Sequence, residues 1–262
     1  MSSLARDALG SLREPEFWAY STWLDIVTKY RRSRLGLVWL LIPPLIYVLG
    51  VGYYFAKLQG LSPVAFIPHL GVGYLLFRFL MTIITESSLV LPANSSFILD
   101  GHARLTDFVF RVVAKGLFYL SVAAPVLIIA LAVSPQLDPW GLAISLPALL
   151  VLIANALWMG IAIALLGARF PDIHELMTSV FIFGFILTPI LWSASAAPPG
   201  TVHGVFMRIN PLYHLIELVR APMLGESLET TTLFYVAGLT VGGVLITGYL
   251  YRRYARFVPL WM

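Results

Sequence analysis

The chain has 262 residues, of which 59% are hydrophobic and only 11% charged, and its mean hydropathy is +0.87. Soluble domains carry about 25% charged residues, so this composition excludes a protein that is surrounded by water on all sides. Cysteine is absent, which excludes disulfides and thiolate metal sites.

The N-terminal segment, residues 1–34, is charged rather than apolar, so we expect no cleavable signal peptide. Pro15 suits the first position of a helix. Apolar residues then recur on one helical face, at Phe17, Tyr20, Leu24 and Val27. This pattern predicts an amphipathic helix that lies in the lipid headgroup region. The alternative is a helix that packs on a soluble partner.

Six apolar segments follow that are long enough to cross a bilayer, which takes about 20 helical residues. We predict an all-α integral membrane protein with six transmembrane helices at residues 35–56, 64–90, 107–133, 140–168, 173–192 and 232–251. They form a single domain in chain order: a cytoplasmic interface region (1–34), spans one to five (35–192), an outer region (193–231), and the last span with its tail (232–262).

The basic residues predict the orientation of the chain. If the N-terminus is cytoplasmic, one side of the membrane receives residues 1–34, the loop 93–106, the break 169–172 and the tail. Thirteen of the seventeen basic residues then lie inside, while Lys57, Arg208 and Arg220 lie outside and Arg78 lies within a span. This asymmetry predicts that both termini are cytoplasmic. It also explains the net charge of +4 by anionic membrane lipids, so nucleic acid is not required as a partner.

Residues 193–231 are too long and too varied for a plain loop. Asn210 and Pro211 are typical of a helix start, and Gly225 is a plausible stop. Between them, apolar residues recur at helical spacing, at Leu212, Leu215, Ile216, Val219 and Met223. We predict a re-entrant helix that enters the outer leaflet beside a pore. The alternative is a helix on the outer surface without a role in gating.

No enzyme motif is present in the sequence. It lacks the phosphate-binding loop G-x-x-x-x-G-K-[ST], so the chain is not expected to hydrolyse ATP itself. The five histidines show no metal-ligand spacing, and there is no G-x-S-x-G elbow. We therefore expect neither a catalytic residue nor a bound cofactor or metal.

Two spans carry aromatic stripes. On the first, Trp39, Pro43, Tyr47, Gly50 and Tyr54 share a narrow arc, and on the fifth the equivalent residues are His174, Phe181, Phe185, Thr188 and Trp192. Aromatic rings can stack on sugars and still allow sliding, as they do with bases in single-stranded nucleic acids. Core packing and interfacial aromatic belts also produce such stripes, and the spacing alone favours that interpretation.

Arg78 lies in the middle of the second span, where a charge facing lipid costs several kcal/mol. It should therefore face protein or a wet cavity, on the same side as Tyr74, Thr85 and Ser88. Two interpretations stay open. The residue lines a pore or binds substrate phosphates, or it is hydrogen-bonded within the protein and holds helices together.

Five sequence blocks resemble the polysaccharide-exporting permeases of type-2 ABC transporters, and they occur in the family's order. They are YRRSRLGLVW at 30–39, LGARFPDI at 166–173, LTPILW at 187–192, NPLYH at 210–214 and RAPMLG at 220–225. Each block alone is weakly specific, and the set covers residues 30–225. Where Pro171 stands, the family commonly has a second basic residue.

The resemblance implies a homodimeric channel in the bacterial cytoplasmic (inner) membrane, driven by a dimer of separate cytoplasmic ABC ATPase subunits. It implies an interface helix at 15–30 and outer gate helices between the last two spans. The substrate would be a lipid-linked polysaccharide on a polyprenyl pyrophosphate, with an O-antigen type as the first expectation and a capsule or teichoic acid polymer as the alternative. From another class, an intramembrane enzyme acting on lipid carriers would require convergent acidic residues or histidines, and the spans offer few.

The resemblance and the residue patterns together predict four sets of functional residues. Those placed to meet the substrate pyrophosphate at the entrance, besides anchoring the chain, are Arg31, Arg32 and Arg34. The candidates that line the channel are Trp39, Tyr47, Tyr54, Tyr74, Arg78, Phe181, Phe185 and Trp192. The loops that couple to the ATPase contain Asn94, Arg104, Arg169 and Asp172, the last of which is also a candidate cap for the fifth span. The outer gate contains Asn210, Pro211, Tyr213 and Arg220.

Overall fold

The computed structural model describes residues 3–31, 33–101 and 103–262, and those residues form helices and connecting turns without a strand. The helices in chain order are α1 Leu4–Arg13, α2 Glu16–Arg31, α3 Gly36–Leu58, α4 Pro63–Val90, α5 Ser95–Leu99, α6 Leu105–Ala132, α7 Pro139–Arg169, α8 Ile173–Leu187, α9 Val202–Ile209, α10 Pro211–Met223 and α11 Thr230–Tyr254. The all-α prediction is confirmed for this part of the chain.

Five helices are long and apolar enough to cross a membrane, namely α3, α4, α6, α7 and α11, the last counted through to Leu260. They correspond to five of the predicted spans. The helix at the position of the predicted fifth span, α8, has only 15 residues and is apolar. At about 1.5 Å per residue it is roughly 22 Å long, which is less than the ~30 Å hydrocarbon core. The structure therefore does not establish a sixth full-length crossing.

Helix α8 ends at Leu187, five residues before the predicted end at Trp192. Thr188 precedes Pro189 and has extended backbone angles, φ −88° and ψ 133°. A residue before proline is disfavoured in the helical conformation, because the proline ring collides with its backbone. The Thr-Pro pair thus ends the helix.

Helix α4 lies at the centre of the bundle, with 72% of its most apolar stretch buried by protein. Leu70, Leu80 and Ile83 on this helix are completely buried among side chains of α6, α7 and α8. In α3 and α11 the corresponding shares are 22% and 17%, so these two helices lie at the periphery. Protein therefore surrounds the helix that carries Arg78 on most of its sides.

Two glycines allow close helix packing. A Cβ atom on Gly167 would overlap the backbone carbonyl of Ser88, and one on Gly243 would overlap the ring of Trp158. Gly238 and Gly242 have nothing within 4 Å of the position of such an atom. Small residues allow membrane helices to pack closely. Of these three glycines in the last span, Gly243 has this role within the chain.

The predicted cytoplasmic segments lie together at one end of the bundle. The hydroxyl of Tyr251 donates to Asp7 Oδ2 at 2.8 Å, and Ser11 Oγ lies 2.7 Å from Thr106 Oγ1. The ring of Trp261 in the tail lies 5.8 Å from the guanidinium carbon of Arg169. The predicted grouping of these segments is thus confirmed, whereas the side of the membrane that they face stays a prediction.

Helix α2 confirms the predicted helix after Pro15, but a different face is buried. Thr22 and Ile26 pack against α6, while Tyr20 is 65% exposed and Leu24 is also exposed. Of the predicted apolar face, Phe17 packs edge-on against Phe108 at 5.6 Å, whereas Tyr20 and Leu24 are turned away from the protein. Exposed Tyr20 and Leu24 are suited to contact with lipid headgroups and acyl chains.

Helices α9 and α10 lie at the opposite end of the bundle. Asn210 caps α10 by accepting from the Leu212 amide at 3.0 Å, and Pro211 is its first residue, as predicted. Gly225, with φ +64°, follows the end of the helix, which also confirms the predicted stop. All residues of the range 212–221 are buried, so α10 lies inside the protein instead of presenting one apolar face.

Candidate functional site

A cleft of about 530 Å³ opens between α3, α4 and α8. Its wall is mainly aromatic and contains one charged residue. The rings and the guanidinium that line it are Tyr47, Tyr74, Phe77, Arg78, Phe181 and Phe185.

The rings of the cleft are packed in two groups. Tyr47 and Tyr74 are stacked, with 4.3 Å between centroids and 4° between planes. Phe77 meets Phe181 and Phe185 edge-to-face, at centroid distances of 5.6 and 5.2 Å. Such offset and edge-on pairs fix ring orientations, so the cleft has defined walls.

Helix α3 presents Tyr47 to the cleft because it is not a regular α-helix. It begins as a 3₁₀ segment, Gly36–Leu40, and contains a π turn at Ile46–Val51. Pro43 and Pro44 lack the amide hydrogens that a regular helix would use. The 3₁₀ and π turns change the rotation per residue, so a stripe that is read at α-helical spacing does not stay on one face.

Five of the eight predicted channel residues line the cleft, namely Tyr47, Tyr74, Arg78, Phe181 and Phe185. Trp39 and Tyr54 are 51% and 62% exposed and do not line it. Trp192 lies beyond the end of α8, where its indole donates to the Ile186 carbonyl at 3.2 Å. A role of these three residues in a channel stays a prediction.

Phe77 lines the cleft but was not among the predicted residues. It was accessible from the sequence, because Tyr74, Phe77, Arg78 and Met81 follow the i, i+3, i+4 spacing of one helical face. The stripe predicted on the second span consists of polar side chains of that face and so does not include Phe77.

Arg78 donates from Nη1 to the hydroxyl of Tyr74, 3.2 Å away on the same helix. Within the described residues it forms no ion pair. A structural arginine that holds helices together needs a partner on another helix, and the hydrogen bond found here stays within α4. Arg78 lies at the wall of the cleft and also borders a smaller cavity against α6, so the choice between the two interpretations stays a prediction.

A buried ionic cluster lies next to α10, at the other end of the bundle from the termini. Arg220 is completely buried and donates to Glu217 Oε2 from Nη2 at 2.6 Å and from Nε at 3.1 Å. Its Nη1 donates to the Pro189 carbonyl at 2.6 Å and lies 3.2 Å from His69 Nε2. Of the other predicted gate residues, Tyr213 is buried, and Asn210 donates from Nδ2 to Thr188 Oγ1 at 2.8 Å. The predicted gate residues thus tie α10 to α4 and to the segment that follows α8.

The loop between α4 and α6 is held by ion pairs to the N-terminal helices. Arg104 bonds Glu14 at 2.6 Å, and its amide donates to Asp107 Oδ2 at 2.9 Å. Arg111 makes two bonds to Asp25, at 2.6 and 2.9 Å, and donates to Asn94 Oδ1 at 3.2 Å. The predicted coupling residues Asn94 and Arg104 therefore belong to one polar network with α1 and α2.

An acidic groove of about 360 Å³ lies beside this loop. Its lining includes four carboxylates and one guanidinium: Glu14, Glu16, Asp100, Asp107 and Arg104. Asp107 is 96% buried, and its Oδ1 has no hydrogen-bond partner among the described residues. A buried carboxylate oxygen without a partner is costly, and the Asp107 Oδ1 atom itself lies beneath the wall of the groove.

The break between α7 and α8 is exposed. Arg169 lies over the ring of Phe170 at 5.6 Å and over that of Trp261 at 5.8 Å. Asp172 occupies the predicted cap position of α8, but it has helical backbone angles and its side chain makes no capping hydrogen bond. The first polar contact of α8 comes instead from His174, whose Nδ1 lies 2.9 Å from Ser88 Oγ.

The predicted entrance lies at the junction of α2 and α3. Arg31, the last residue of α2, and Arg34 are exposed, while Arg32 lies outside the described residues. Gly36 has φ +51°, a conformation that glycine adopts without strain and that redirects the chain into α3. The two described arginines are exposed to any anionic group at this level, and their contact with the substrate stays a prediction.

The sequence matches known proteins over most of its length. The capsule polysaccharide export inner-membrane protein CtrC of Neisseria meningitidis serogroup A is 22% identical over 209 residues, which cover 79% of this chain and 78% of that protein. The family model described as ABC-2 type transporter matches residues 17–224. This match includes the cleft, the coupling loop and the buried ionic cluster. The chain therefore belongs to the ABC-2 type transporter family and is a multi-pass transport permease.

Proposed function

We propose that the chain is the transmembrane subunit of a bacterial exporter that moves a lipid-linked polysaccharide across the cytoplasmic membrane. The observation that carries this proposal is the cleft between α3, α4 and α8, with its aromatic walls and a single guanidinium. Aromatic faces offer many weak and similar contacts, which suit a polymer that must slide. The Arg78 guanidinium suits the phosphate that joins such a polymer to its lipid.

The working unit of the proposal is a homodimer with the two clefts facing each other. Each subunit contributes six spans, the sixth crossing being α8 together with residues 188–192. Exposed apolar side chains on α8, such as Phe183 and Ile186, support this arrangement, because they lie beside the cleft and are not covered by the chain itself. Helices α9 and α10 act as the re-entrant outer gate, and the complete burial of α10 in protein supports its placement at membrane depth.

The first expectation for the substrate is a glycan of O-antigen type on a polyprenyl pyrophosphate. A capsule polysaccharide is the second candidate, and the similarity to the capsule exporter CtrC favours it. Both substrates present sugars and phosphate to the cleft, so they call for the same side chains. Export assays with the two lipid-linked polymers distinguish them.

A separate dimer of cytoplasmic ABC ATPases supplies the energy in this proposal. The acidic groove beside the loop that contains Asn94 and Arg104 supports an attachment point at this end of the bundle. A lysine or arginine of the ATPase would fit the carboxylates of the groove, with Glu14, Glu16 and Asp100 as its acceptors. Arg169 and Asp172 lie at the same end and form the second contact of the proposal.

Export by cells that carry cleft variants tests the central proposal. Tyr47→Ala combined with Arg78→Gln should reduce the polysaccharide that reaches the outer face and cause lipid-linked polymer to accumulate inside. Tyr53→Ala is the matched control, because Tyr53 lies on the same helix, is exposed and does not line the cleft. Equal export by both variants, at equal protein levels in the membrane, would remove the cleft from the pathway.

The entrance is tested separately. Changing Arg31, Arg32 and Arg34 to glutamine should impair export while the protein still inserts into the membrane. Normal export by this variant would show that these residues only anchor the chain. An intramembrane enzyme, the alternative from another class, predicts that the purified chain alone changes a lipid carrier covalently, whereas a permease leaves it unchanged.

A further inference from the structure

The C-terminal tail folds back onto the ends of two membrane helices and leaves a groove. The tail comprises the 3₁₀ segment Ala255–Leu260 and Trp261, and it packs against the ends of α7 and α11. The groove has a volume of about 280 Å³. Apart from Arg169, its lining is apolar or aromatic: Leu165, Leu166, Phe170, Leu250, Tyr254 and Trp261.

One lining residue of this groove, Arg169, is charged, and the adjacent end of α11 and the tail add further arginines that form a basic rim. Among them is Arg253, whose Nη1 donates to the Tyr249 hydroxyl at 3.1 Å. Arg169, Arg253 and Arg256 are exposed and lie over the rings of Trp261, Tyr254 and Phe257, at 5.8, 5.7 and 4.6 Å. Arg252 is exposed beside them. In the described part of the chain none of these arginines forms an ion pair, although Asp172 follows Arg169 by only three residues. The groove therefore combines an apolar floor with uncompensated positive charge.

The position of the groove indicates what it meets in the membrane. Arg169 ends one candidate span, and the tail ends another, so the rim lies where the helices leave the hydrocarbon core. Tryptophan and tyrosine favour this depth, because their rings are apolar and their N–H or O–H groups reach water. A ligand that fits such a place has an acyl chain for the floor and an anionic headgroup for the rim.

We propose that this groove binds an anionic phospholipid of the surrounding leaflet, with an acyl chain along Leu250 and Trp261 and the phosphate on Arg169 and Arg253. Guanidinium groups bind phosphate through charge-assisted hydrogen bonds, and stacking on aromatic rings holds them in place. The bound lipid would fasten the tail to the ends of α7 and α11. The site is distinct from the cleft that the transported polymer is proposed to use, and it shares only Arg169 with the proposed contact to the ATPase.

Thermal unfolding of the purified full-length protein in detergent tests the site, with phosphatidylglycerol, phosphatidylcholine and inorganic phosphate as probes. We expect phosphatidylglycerol to raise the Tm at concentrations where phosphatidylcholine and phosphate have no effect. Arg169→Gln with Arg253→Gln should weaken phosphatidylglycerol binding by about a hundredfold, because each of the two lost charge-assisted bonds is worth roughly a factor of ten. Lys57→Gln is the control, because this exposed residue lies at the other end of the bundle.

Equal effects of the two phospholipids would overturn the proposal, and so would an unchanged response of the double arginine variant. An equal effect of inorganic phosphate would show a simple anion site without a lipid. Trp261→Ala gives a second test that keeps the charges, and it should also weaken the response to phosphatidylglycerol. None of these measurements involves export, so their outcome is independent of the proposed transport function.

Discussion

Arg220 donates a 2.6 Å hydrogen bond to the backbone carbonyl of Pro189, which joins α10 to the segment where α8 has ended. Because the helix has ended, the Pro189 carbonyl has no amide of a following helical turn as its donor. The Arg220 guanidinium donates to it instead. Glu217, one turn earlier on α10, neutralises the charge at 2.6 Å. A buried cation thus fastens the proposed outer gate to the rest of the bundle.

Replacing Arg220 by glutamine should lower the free energy of unfolding by about 3–5 kcal/mol, because Glu217 would keep a buried charge without its partner. Arg208→Gln is the matched control. Arg208 pairs with Glu229 at 2.5 Å and donates to the Ala197 carbonyl at 3.0 Å, but its side chain reaches solvent, so its loss should cost less than that of Arg220. Unfolding of both variants in the same detergent gives the comparison, and similar losses would show that the buried cluster has no special weight.

Replacement by alanine should have opposite effects on stability at Gly167 and at Gly238. Gly167→Ala should destabilise the protein by about 1–3 kcal/mol, because the new methyl group would overlap the Ser88 carbonyl and separate α7 from α4. Gly238→Ala meets open space and should be neutral or stabilise by up to about 1 kcal/mol, since alanine favours helix. Tm measurements on the two variants decide the point. A destabilised Gly238→Ala would reveal a neighbour in the assembled protein.

The parts of the fold that local signals determine were predictable from the sequence. The start of α10 follows from Asn210 and Pro211, which act on their own backbone, and the five long spans follow from hydropathy. The early end of α8 also follows from a local signal, the Thr188-Pro189 pair. The predicted end at Trp192 was wrong because it was based on hydropathy alone. The resemblance implied more than one outer helix, but the residue pattern predicted only α10 and not α9, although the Thr201 hydroxyl accepts from the Gly204 amide at 3.0 Å and caps α9.

The candidate site was predicted most completely on the regular helix α8, although Tyr47, which lies in the π turn of α3, was predicted as well. Phe181 and Phe185 lie in α8, an ordinary helix, and both line the cleft. Trp39 and Tyr54 lie on α3, whose 3₁₀ and π turns place them elsewhere. The burial of Arg220 was not predictable, because its contacts to His69 and Pro189 join segments that are distant in the sequence. Its charge was therefore assigned only to the outer side of the membrane.

The ion pair between Asp25 and Arg111 should hold α2 against α6. Asp25→Asn is expected to make the bond after Lys29 more accessible to trypsin, because the two hydrogen bonds at 2.6 and 2.9 Å are weakened. The side chains are partly exposed, so a double-mutant cycle with Arg111→Gln should give a coupling energy of about 1 kcal/mol. Glu175→Gln, at an exposed residue without an ion pair in the described structure, is the control. Equal cleavage of both single variants would contradict the role of the pair.

The pair of Arg208 and Glu229, which lies just before the last span, predicts a pH dependence of stability. The hydrogen bond from Arg208 lowers the pKa of Glu229 below its ordinary value of 4.5, and partial burial opposes this effect. A carboxyl whose pKa is lowered by folding contributes stability above its unfolded pKa and loses it as the pH falls through the folded value. The Tm difference between the wild type and Glu229→Gln should therefore be constant from pH 7 to about pH 5 and shrink below pH 4.5. Thermal unfolding of both proteins between pH 7 and pH 3 measures it, and a difference that stays constant throughout would mean that folding does not shift the pKa of this carboxyl.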